Sequence, residues 1–97
     1  MNLARINLNL LVLLDVLFEE KHVTRASVRL NITQSTLSAS LKQLREIFSD
    51  ELLLRDGNKM IVTTKGTELA PKIKSILQQL QSQIFTEILF FNSTVTW

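Results

Sequence analysis

Residues 34–48 combine leucines at helical spacing with a front of short polar side chains. The stretch QSTLSASLKQLREIF has leucines at 37, 41 and 44, and Phe48 continues their spacing. Residues three or four apart share one face of a helix, so these side chains form a narrow apolar stripe. A solvent-facing helix of this length usually carries several acids, but this one has only Glu46. The side opposite the leucines carries Gln34, Ser35, Ser38, Ala39 and Lys42.

Side chains of this kind suit the edges of DNA base pairs. The major groove, about 12 Å wide, admits an α-helix, and a glutamine there pairs bidentately with adenine while a serine donates or accepts. Short side chains also let the helix backbone approach the bases closely. We therefore predict a recognition helix in the major groove of double-stranded DNA, in which the base-reading residues are Gln34, Ser35, Ser38 and Ala39.

The distribution of charge favours the same class of ligand. The net charge is only +2, but residues 24–45 contain four cations and no acid, whereas residues 1–23 lean acidic. One clustered basic patch is typical of a polyanion-binding surface. Charge alone leaves an alternative open, namely a solvated surface that lacks acids. The four cations are Arg25, Arg29, Lys42 and Arg45.

The composition indicates one globular domain with a core of modest size. The chain has 97 residues, of which 45% are hydrophobic and 21% charged, and it has no cysteine. It therefore has no disulfide and no thiolate metal site, which fits a reducing compartment. No apolar run reaches about 18 residues, so we expect no membrane span. The apolar start lacks a small-residue cleavage site and is interrupted by Asp15, so we interpret it as a buried helix and expect a cytoplasmic protein.

The remaining periodicities predict a mainly α fold with a small β-hairpin. Asn7 and Thr33 are suited to cap the helices that follow them, and Asn31 tolerates the left-handed conformation that ends a helix. Asp56-Gly57-Asn58 supplies the turn of a hairpin, which we predict as a wing over residues 51–63. The predicted helices are residues 8–20, 23–30, 34–48 and 64–91.

The last predicted helix carries a long apolar stripe, and Pro71 within it predicts a kink or a late start. A domain of residues 1–63 is too small to cover such a stripe, so we expect part of it to remain in water and to form a homodimer interface. The alternative is that the helix folds back and buries the stripe on the first helix. Residues 92–97 have no periodicity and resemble an unfinished connection. The stripe consists of Leu69, Ile73, Ile76, Leu80, Ile84 and Ile88.

Two helices joined by a tight turn and followed by a hairpin form a winged helix-turn-helix, here with its helix-turn-helix at residues 23–42. We expect Arg29 to pair with Glu19 or Glu20 and Arg55 to anchor the base of the wing. His22 is interpreted as a turn residue. The residues predicted to contact phosphates or to act from the wing are Arg25, Thr33, Thr36, Lys42, Asn58 and Lys59.

Four short segments resemble the N-terminal domain of LysR-type transcriptional regulators. Residues 23–27, VTRAS, stand where the family has FTxAA, and residues 33–38, TQSTLS, where it has SQPALS. Farther along, LLLR at residues 52–55 is similar to the family's LFxR, and VTTKG at residues 62–66 to its LTxxG. The similarity runs without a gap from about Asn7 to Ile76. It is greatest to the branch that contains the nodulation regulator NodD.

The resemblance implies a dimer with antiparallel linker helices on a pseudo-palindromic DNA site. Ser35 replaces a frequent proline and Ala39 a frequent DNA-contacting arginine, so the family's base preference does not carry over. Members usually continue into an effector-binding domain, so a small-molecule effector is expected only if such a domain exists. The chain is either an excised DNA-binding fragment or a naturally short protein.

Two other classes of function fit the sequence less well. An enzyme is disfavoured because there is no glycine-rich phosphate loop and no metal-ligand cluster, and no cofactor is expected. Asp50 and Glu51 are adjacent, but at the expected start of a strand they would point to opposite faces. A protein–protein interaction module would use the apolar stripe of residues 69–88. Salt distinguishes it from DNA binding, whose affinity falls steeply as salt is added.

Overall fold

The structure, a computed structural model, describes residues 6–85 and, at Phe85, the backbone alone. It confirms the predicted fold class, mainly α with one antiparallel hairpin. Ile88, the helical prediction for residues 86–91 and the tail at 92–97 lie outside the described residues. The elements are α1 (Leu8–Glu20), α2 (Val23–Leu30), α3 (Gln34–Phe48), β1 (Leu53–Asp56), β2 (Lys59–Val62), α4 (Thr64–Leu80) and a π-helical segment (Gln81–Phe85).

The first three helices begin and end where the capping residues predict. The Asn7 side chain accepts a hydrogen bond from the Asn9 backbone N–H at 2.9 Å, and Thr33 accepts one from Thr36 at 3.1 Å. Each bond satisfies one backbone donor that has no partner within the helix. Asn31 ends α2 in the left-handed conformation, with φ 55°. Local side-chain chemistry therefore sets these boundaries.

The core is built around α1, which packs against α2, α3 and α4. Leu14 and Leu17 of α1 are completely buried, as is Leu44 on the back of α3. Leu52 and Leu53 at the start of the hairpin complete the set of fully buried large side chains. Burial of such side chains is worth about 1.5–3 kcal/mol each, so this cluster holds the recognition helix and the wing on one scaffold.

The hairpin starts later than predicted because the backbone turns at Leu52. This residue adopts φ 65°, a conformation that costs a non-glycine residue of order 1–3 kcal/mol, and its side chain is fully buried. The Asp50 carboxylate holds the turn by accepting hydrogen bonds from the Leu52 N–H at 2.8 Å and the Thr63 hydroxyl at 2.7 Å. These two bonds, that from Thr63 first, lower the pKa of Asp50. Asp50 and Glu51 thus precede β1, and their predicted place on a strand is wrong.

The apolar stripe of the last helix remains partly in water, as predicted, but Ile73 at its centre is buried. Ile73 is 5% exposed and belongs to the core, because α4 packs against α1 along this face. Leu69 and Leu80 are half-buried, whereas Ile76 and Ile84 are 51% and 50% exposed. The structure thus combines the two alternatives, with part of the stripe buried on α1 and part accessible. No helix within residues 6–85 is long and apolar enough to cross a membrane.

Gly66, in the first turn of α4, is required by a close approach of the chain. A Cβ atom there would lie 2.5 Å from the Leu52 carbonyl oxygen and 2.7 Å from a methyl carbon of Val62. The backbone oxygen cannot retreat without moving the buried start of the wing. This contact joins α4 to the hairpin and fixes the direction in which α4 leaves it.

We predict that Gly66→Ala lowers the free energy of unfolding by about 1–3 kcal/mol, because overpacking outweighs the better helix propensity of alanine. Urea denaturation followed by circular dichroism measures the change. Glu68→Ala, at an exposed position of the same helix, is the matched control and should change stability little. Equal midpoints for Gly66→Ala and the parent would contradict the close approach.

Candidate nucleic-acid interface

The recognition helix α3 is buried on one side and exposed to solvent on the other. Leu37, Leu41 and Leu44 are between 0% and 6% exposed. The side chains predicted to read bases are exposed, as is Lys42 on the same side. Within the described residues, no acid forms an ion pair with Lys42. The structure therefore presents together, on one exposed surface, the four predicted residues Gln34, Ser35, Ser38 and Ala39.

The first turn of α3 places two hydroxyl groups beside its free backbone N–H groups. The Thr33 oxygen caps the helix and lies 2.9 Å from the Thr36 oxygen, to which the Thr33 hydroxyl donates. With its proton used in this way, Thr33 has little left to offer a ligand, whereas the Thr36 hydroxyl proton is available. Helix N-termini attract anions because their N–H groups point outward. This end of α3 is suited to a phosphate oxygen.

Acids from α1 neutralise much of the basic patch. The Arg29 guanidinium donates to Glu19 at 2.7 Å and to Glu20 at 3.4 Å, which confirms the predicted pairing. Arg25, predicted as a phosphate contact, lies 3.6 Å from the Glu20 carboxylate and donates to the Glu20 carbonyl at 3.3 Å. Its side chain nevertheless remains 64% exposed, so one side of the guanidinium is accessible. The cluster of cations in the sequence overstates the positive charge of this surface, because α1 supplies acids that pair with two of the arginines.

Glu19 connects three helices. Its carboxylate on α1 accepts hydrogen bonds from Lys74 on α4 and from Arg29 on α2, and Lys74 also lies 3.1 Å from the Asp15 carboxylate. The hydrogen bond from Lys74, followed by that from Arg29, lowers the pKa of Glu19 to about 2. The same partners, with Glu19 first and Asp15 second, raise the pKa of Lys74. This network links the direction of α4 to the helix that precedes the recognition helix.

Arg45 holds the wing against the recognition helix, a role that the sequence analysis missed. Its guanidinium donates to the carbonyl oxygens of Glu51 at 2.9 Å and Leu53 at 2.6 Å, and it pairs with the Glu51 carboxylate at 3.1 Å. The prediction that Arg55 anchors the wing base is wrong, because Arg55 donates to Gly57 across the turn at 2.8 Å. The sequence carried one signal for this role, since the apolar spacing of α3 places Arg45 directly after buried Leu44, at the edge of the buried face.

The wing is also tied to the start of the helix-turn-helix. The Val23 N–H donates to the Asn58 carbonyl at 2.8 Å, and Met60 donates to the carbonyl of Lys21 at 3.0 Å. His22, interpreted as a turn residue, caps α2 through its Nδ1, which accepts from the Arg25 N–H at 3.1 Å. Asn58 and Lys59 are consequently fixed beside the N-terminus of α2, with exposed side chains. These hydrogen bonds fix the position of the wing tip relative to the helix-turn-helix.

This arrangement of two helices, a tight turn and a wing defines a winged helix-turn-helix domain. A family model, that of the bacterial regulatory helix-turn-helix proteins of the lysR family, matches residues 8–67. The chain belongs to this family and contains its helix-turn-helix DNA-binding domain. Within residues 6–85, no group of three or more histidine, aspartate or glutamate side chains is placed to hold a metal ion.

Known proteins support the assignment. Nodulation protein D 1 of Mesorhizobium japonicum is 37% identical over 86 residues, which are 89% of this chain and 27% of that protein. The transcriptional regulator SyrM of Rhizobium etli is 39% identical over 86% of this chain and 25% of its own length. Oxidized OxyR of Corynebacterium glutamicum, a solved structure, superposes with a TM-score of 0.83 and 31% identity over 96% of this chain and 28% of that one. The chain therefore spans about a quarter of the length of these relatives.

The lowered pKa of Glu19 predicts how stability depends on pH. A carboxylate whose pKa falls on folding contributes stability above its unfolded value, 4.5, and loses that contribution as pH falls toward about 2. We predict that Glu19→Gln is less stable than the parent at neutral pH and that the difference shrinks across this window. Urea midpoints at several pH values measure it.

Glu46→Gln is the matched control, because Glu46 is exposed and forms no ion pair with any described residue. Its difference from the parent should be small and nearly independent of pH. A Glu19→Gln difference that stays constant from neutral pH to pH 2 would contradict the network.

Proposed function

We propose that this domain binds double-stranded DNA of defined sequence, with α3 in the major groove. The observation that supports this most directly is the two-sided character of α3. Its leucine back is buried, while its front is exposed, short and free of acids. A recognition helix requires this combination because the backbone must approach base edges that are themselves rich in acceptors. Membership of the lysR family supports the same proposal.

Base reading is assigned to Gln34, Ser35, Ser38 and Ala39. Gln34 and Ser38 are one helical turn apart and supply the amide and the hydroxyl that recognise base edges. Ala39 and Ser35 are small, so they bring the helix close, and alanine provides an apolar contact for a thymine methyl group. The longest base-reading side chain is therefore the glutamine at the start of the helix.

The contacts to phosphate surround this face. Lys42 is exposed beside the base-reading residues, and Thr36 offers its hydroxyl proton at the helix N-terminus. Asn58 and Lys59 extend from the wing tip, and Arg25 retains an accessible side after pairing with Glu20. Such contacts fix the register of the protein on the duplex without reading sequence. Thr33 contributes indirectly, through its cap and its hydrogen bond to Thr36.

We also propose that the domain acts as a homodimer formed by the C-terminal helix. Ile76 on α4 and Ile84 in the π-helical segment that follows are half-exposed, and a shallow groove continues from Leu77 and Leu80 to the start of α1. There Leu8 and Val12 are 56% and 43% exposed, an extension of the apolar surface that helical spacing in α4 did not reveal. A second copy related by a two-fold axis covers such a surface with an identical one. The dimer would place two recognition helices on a pseudo-palindromic site.

The cellular role follows from the family. Because lysR-family proteins are bacterial regulators, we assign the domain to transcription regulation in the bacterial cytoplasm, where the DNA is. An effector molecule enters the proposal only with an additional effector-binding domain. The relative SyrM is named as a helix-turn-helix transcriptional regulator, not as an enzyme.

A second candidate is a protein–protein interaction module that uses the accessible part of the stripe. The exposure of Ile76 and Ile84 favours it. Its affinity would respond little to salt, whereas each phosphate that the protein neutralises adds about 0.9 to the slope of log affinity against log salt. Binding to duplex DNA at several salt concentrations separates the two candidates.

Replacement of Gln34 tests base reading. We predict that Gln34→Ala weakens binding to a duplex selected from a random pool by about 1–3 kcal/mol and hardly affects random DNA. Fluorescence anisotropy on both duplexes measures the two affinities. Gln78→Ala, an exposed glutamine on α4 and outside the helix-turn-helix, is the matched control. Equal losses on both duplexes would show that Gln34 only positions the helix.

Replacement of Ile76 tests the dimer. We predict that the parent chain sediments as a dimer and that Ile76→Asp sediments as a monomer, because an unpaired charge in an apolar interface is costly. Gln78→Asp introduces the same charge at an exposed position on the opposite face of α4 and should remain dimeric. A monomeric parent would refute the dimer, and a dimeric Ile76→Asp would place the interface elsewhere.

A further inference from the structure

A hydrogen bond connects the two helices of the helix-turn-helix at the base-reading surface. The Gln34 side-chain nitrogen on α3 donates to the Thr24 hydroxyl oxygen on α2 at 3.3 Å. Gln34 is exposed, whereas Thr24 is half-buried in the first turn of α2. Threonine is branched at Cβ and has few rotamers, so its oxygen is the better fixed of the two partners. Thr24 therefore restrains an otherwise mobile side chain.

The restraint selects which groups of Gln34 remain for a ligand. A glutamine amide has two N–H donors and one oxygen acceptor. With one N–H directed to Thr24, the other N–H and the oxygen stay free. One donor beside one acceptor is what the major-groove edge of adenine requires, through its N7 and N6 atoms. The hydrogen bond leaves this pair intact while it limits rotation of the amide.

Free rotation of the Gln34 amide would weaken its discrimination between bases. Glutamine is among the side chains that lose most conformational freedom when they are fixed, so an unrestrained Gln34 must be ordered when DNA binds. An amide that turns over also exchanges the positions of its donor and acceptor, which would suit other bases. A restraint present before binding reduces both effects.

We propose that Thr24 is a positioning residue that orients the Gln34 amide for adenine and so determines specificity at one base pair. The proposal rests on the proposed function, in which Gln34 reads a base. Thr24 acts through Gln34 and needs no contact with DNA. Its hydroxyl makes the hydrogen bond, and its methyl group serves only to limit the rotamers of that hydroxyl.

Binding of the 97-residue chain to four duplexes tests the proposal. The duplexes derive from a site selected from a random pool and differ only at the base pair where Gln34→Ala loses discrimination. We expect Thr24→Val, which keeps the shape but removes the hydroxyl, to reduce discrimination there by about 3- to 10-fold, the effect of one net hydrogen bond. Affinity for random DNA should stay within about twofold, and Thr24→Ser, which keeps the hydroxyl, should retain most of the discrimination of the parent.

A double variant separates the hydrogen bond from other roles of Thr24. In a Gln34→Ala background, Thr24→Val should cause no further loss of discrimination, since the two residues act as one unit. Equal weakening of all duplexes by Thr24→Val would overturn the proposal and assign Thr24 to phosphate contact or to folding, which urea midpoints distinguish. Unchanged discrimination in Thr24→Val, with discrimination lost in Gln34→Ala, would overturn it and leave the proposed function intact. If Gln34→Ala loses no discrimination at any base pair, base reading by Gln34 fails, and the proposal fails with it.

Discussion

Burial of one narrow leucine stripe is the constraint on which the rest of this domain depends. Leu37, Leu41 and Leu44 pack α3 into a core centred on α1, and they leave the opposite side of the helix exposed. Because the stripe is narrow, the opposite side can carry short polar groups at little cost in stability. The recognition surface is available because the core buries only one narrow face of α3.

Most of the charged side chains lie around the base-reading surface and not within it. The acids of α1 hold Arg29 and Lys74, and Arg45 is used to pin the wing to α3. These cations thereby gain structural partners, while Lys42 and Lys59 remain exposed near the base-reading residues and the wing tip. Exposed ion pairs are individually weak, but Glu19 is shared by two cations from different helices. Such sharing links α1, α2 and α4 through one carboxylate.

The apolar face of α4 shows how one helix divides its surface between two purposes. Ile73 completes the core of the monomer, whereas Ile76, only three residues later, is half-exposed. A periodic stripe cannot reveal this division, because every member has the same spacing and hydrophobicity. The packing of α4 on α1 divides it, because Ile73 lies in the core and Ile76 does not.

The sequence by itself determined the features that depend on neighbouring residues. The bounds of α1, α2 and α3 and the capping roles of Asn7, Asn31 and Thr33 follow from local hydrogen bonding and period, so they could be predicted. The tertiary structure decided which acids Arg45 and Lys74 meet, the backbone turn at Leu52 and the requirement for glycine at position 66. It also brought Thr24 to Gln34. Each of these depends on how separate elements are placed in space, and that placement arises only when the leucine core has packed.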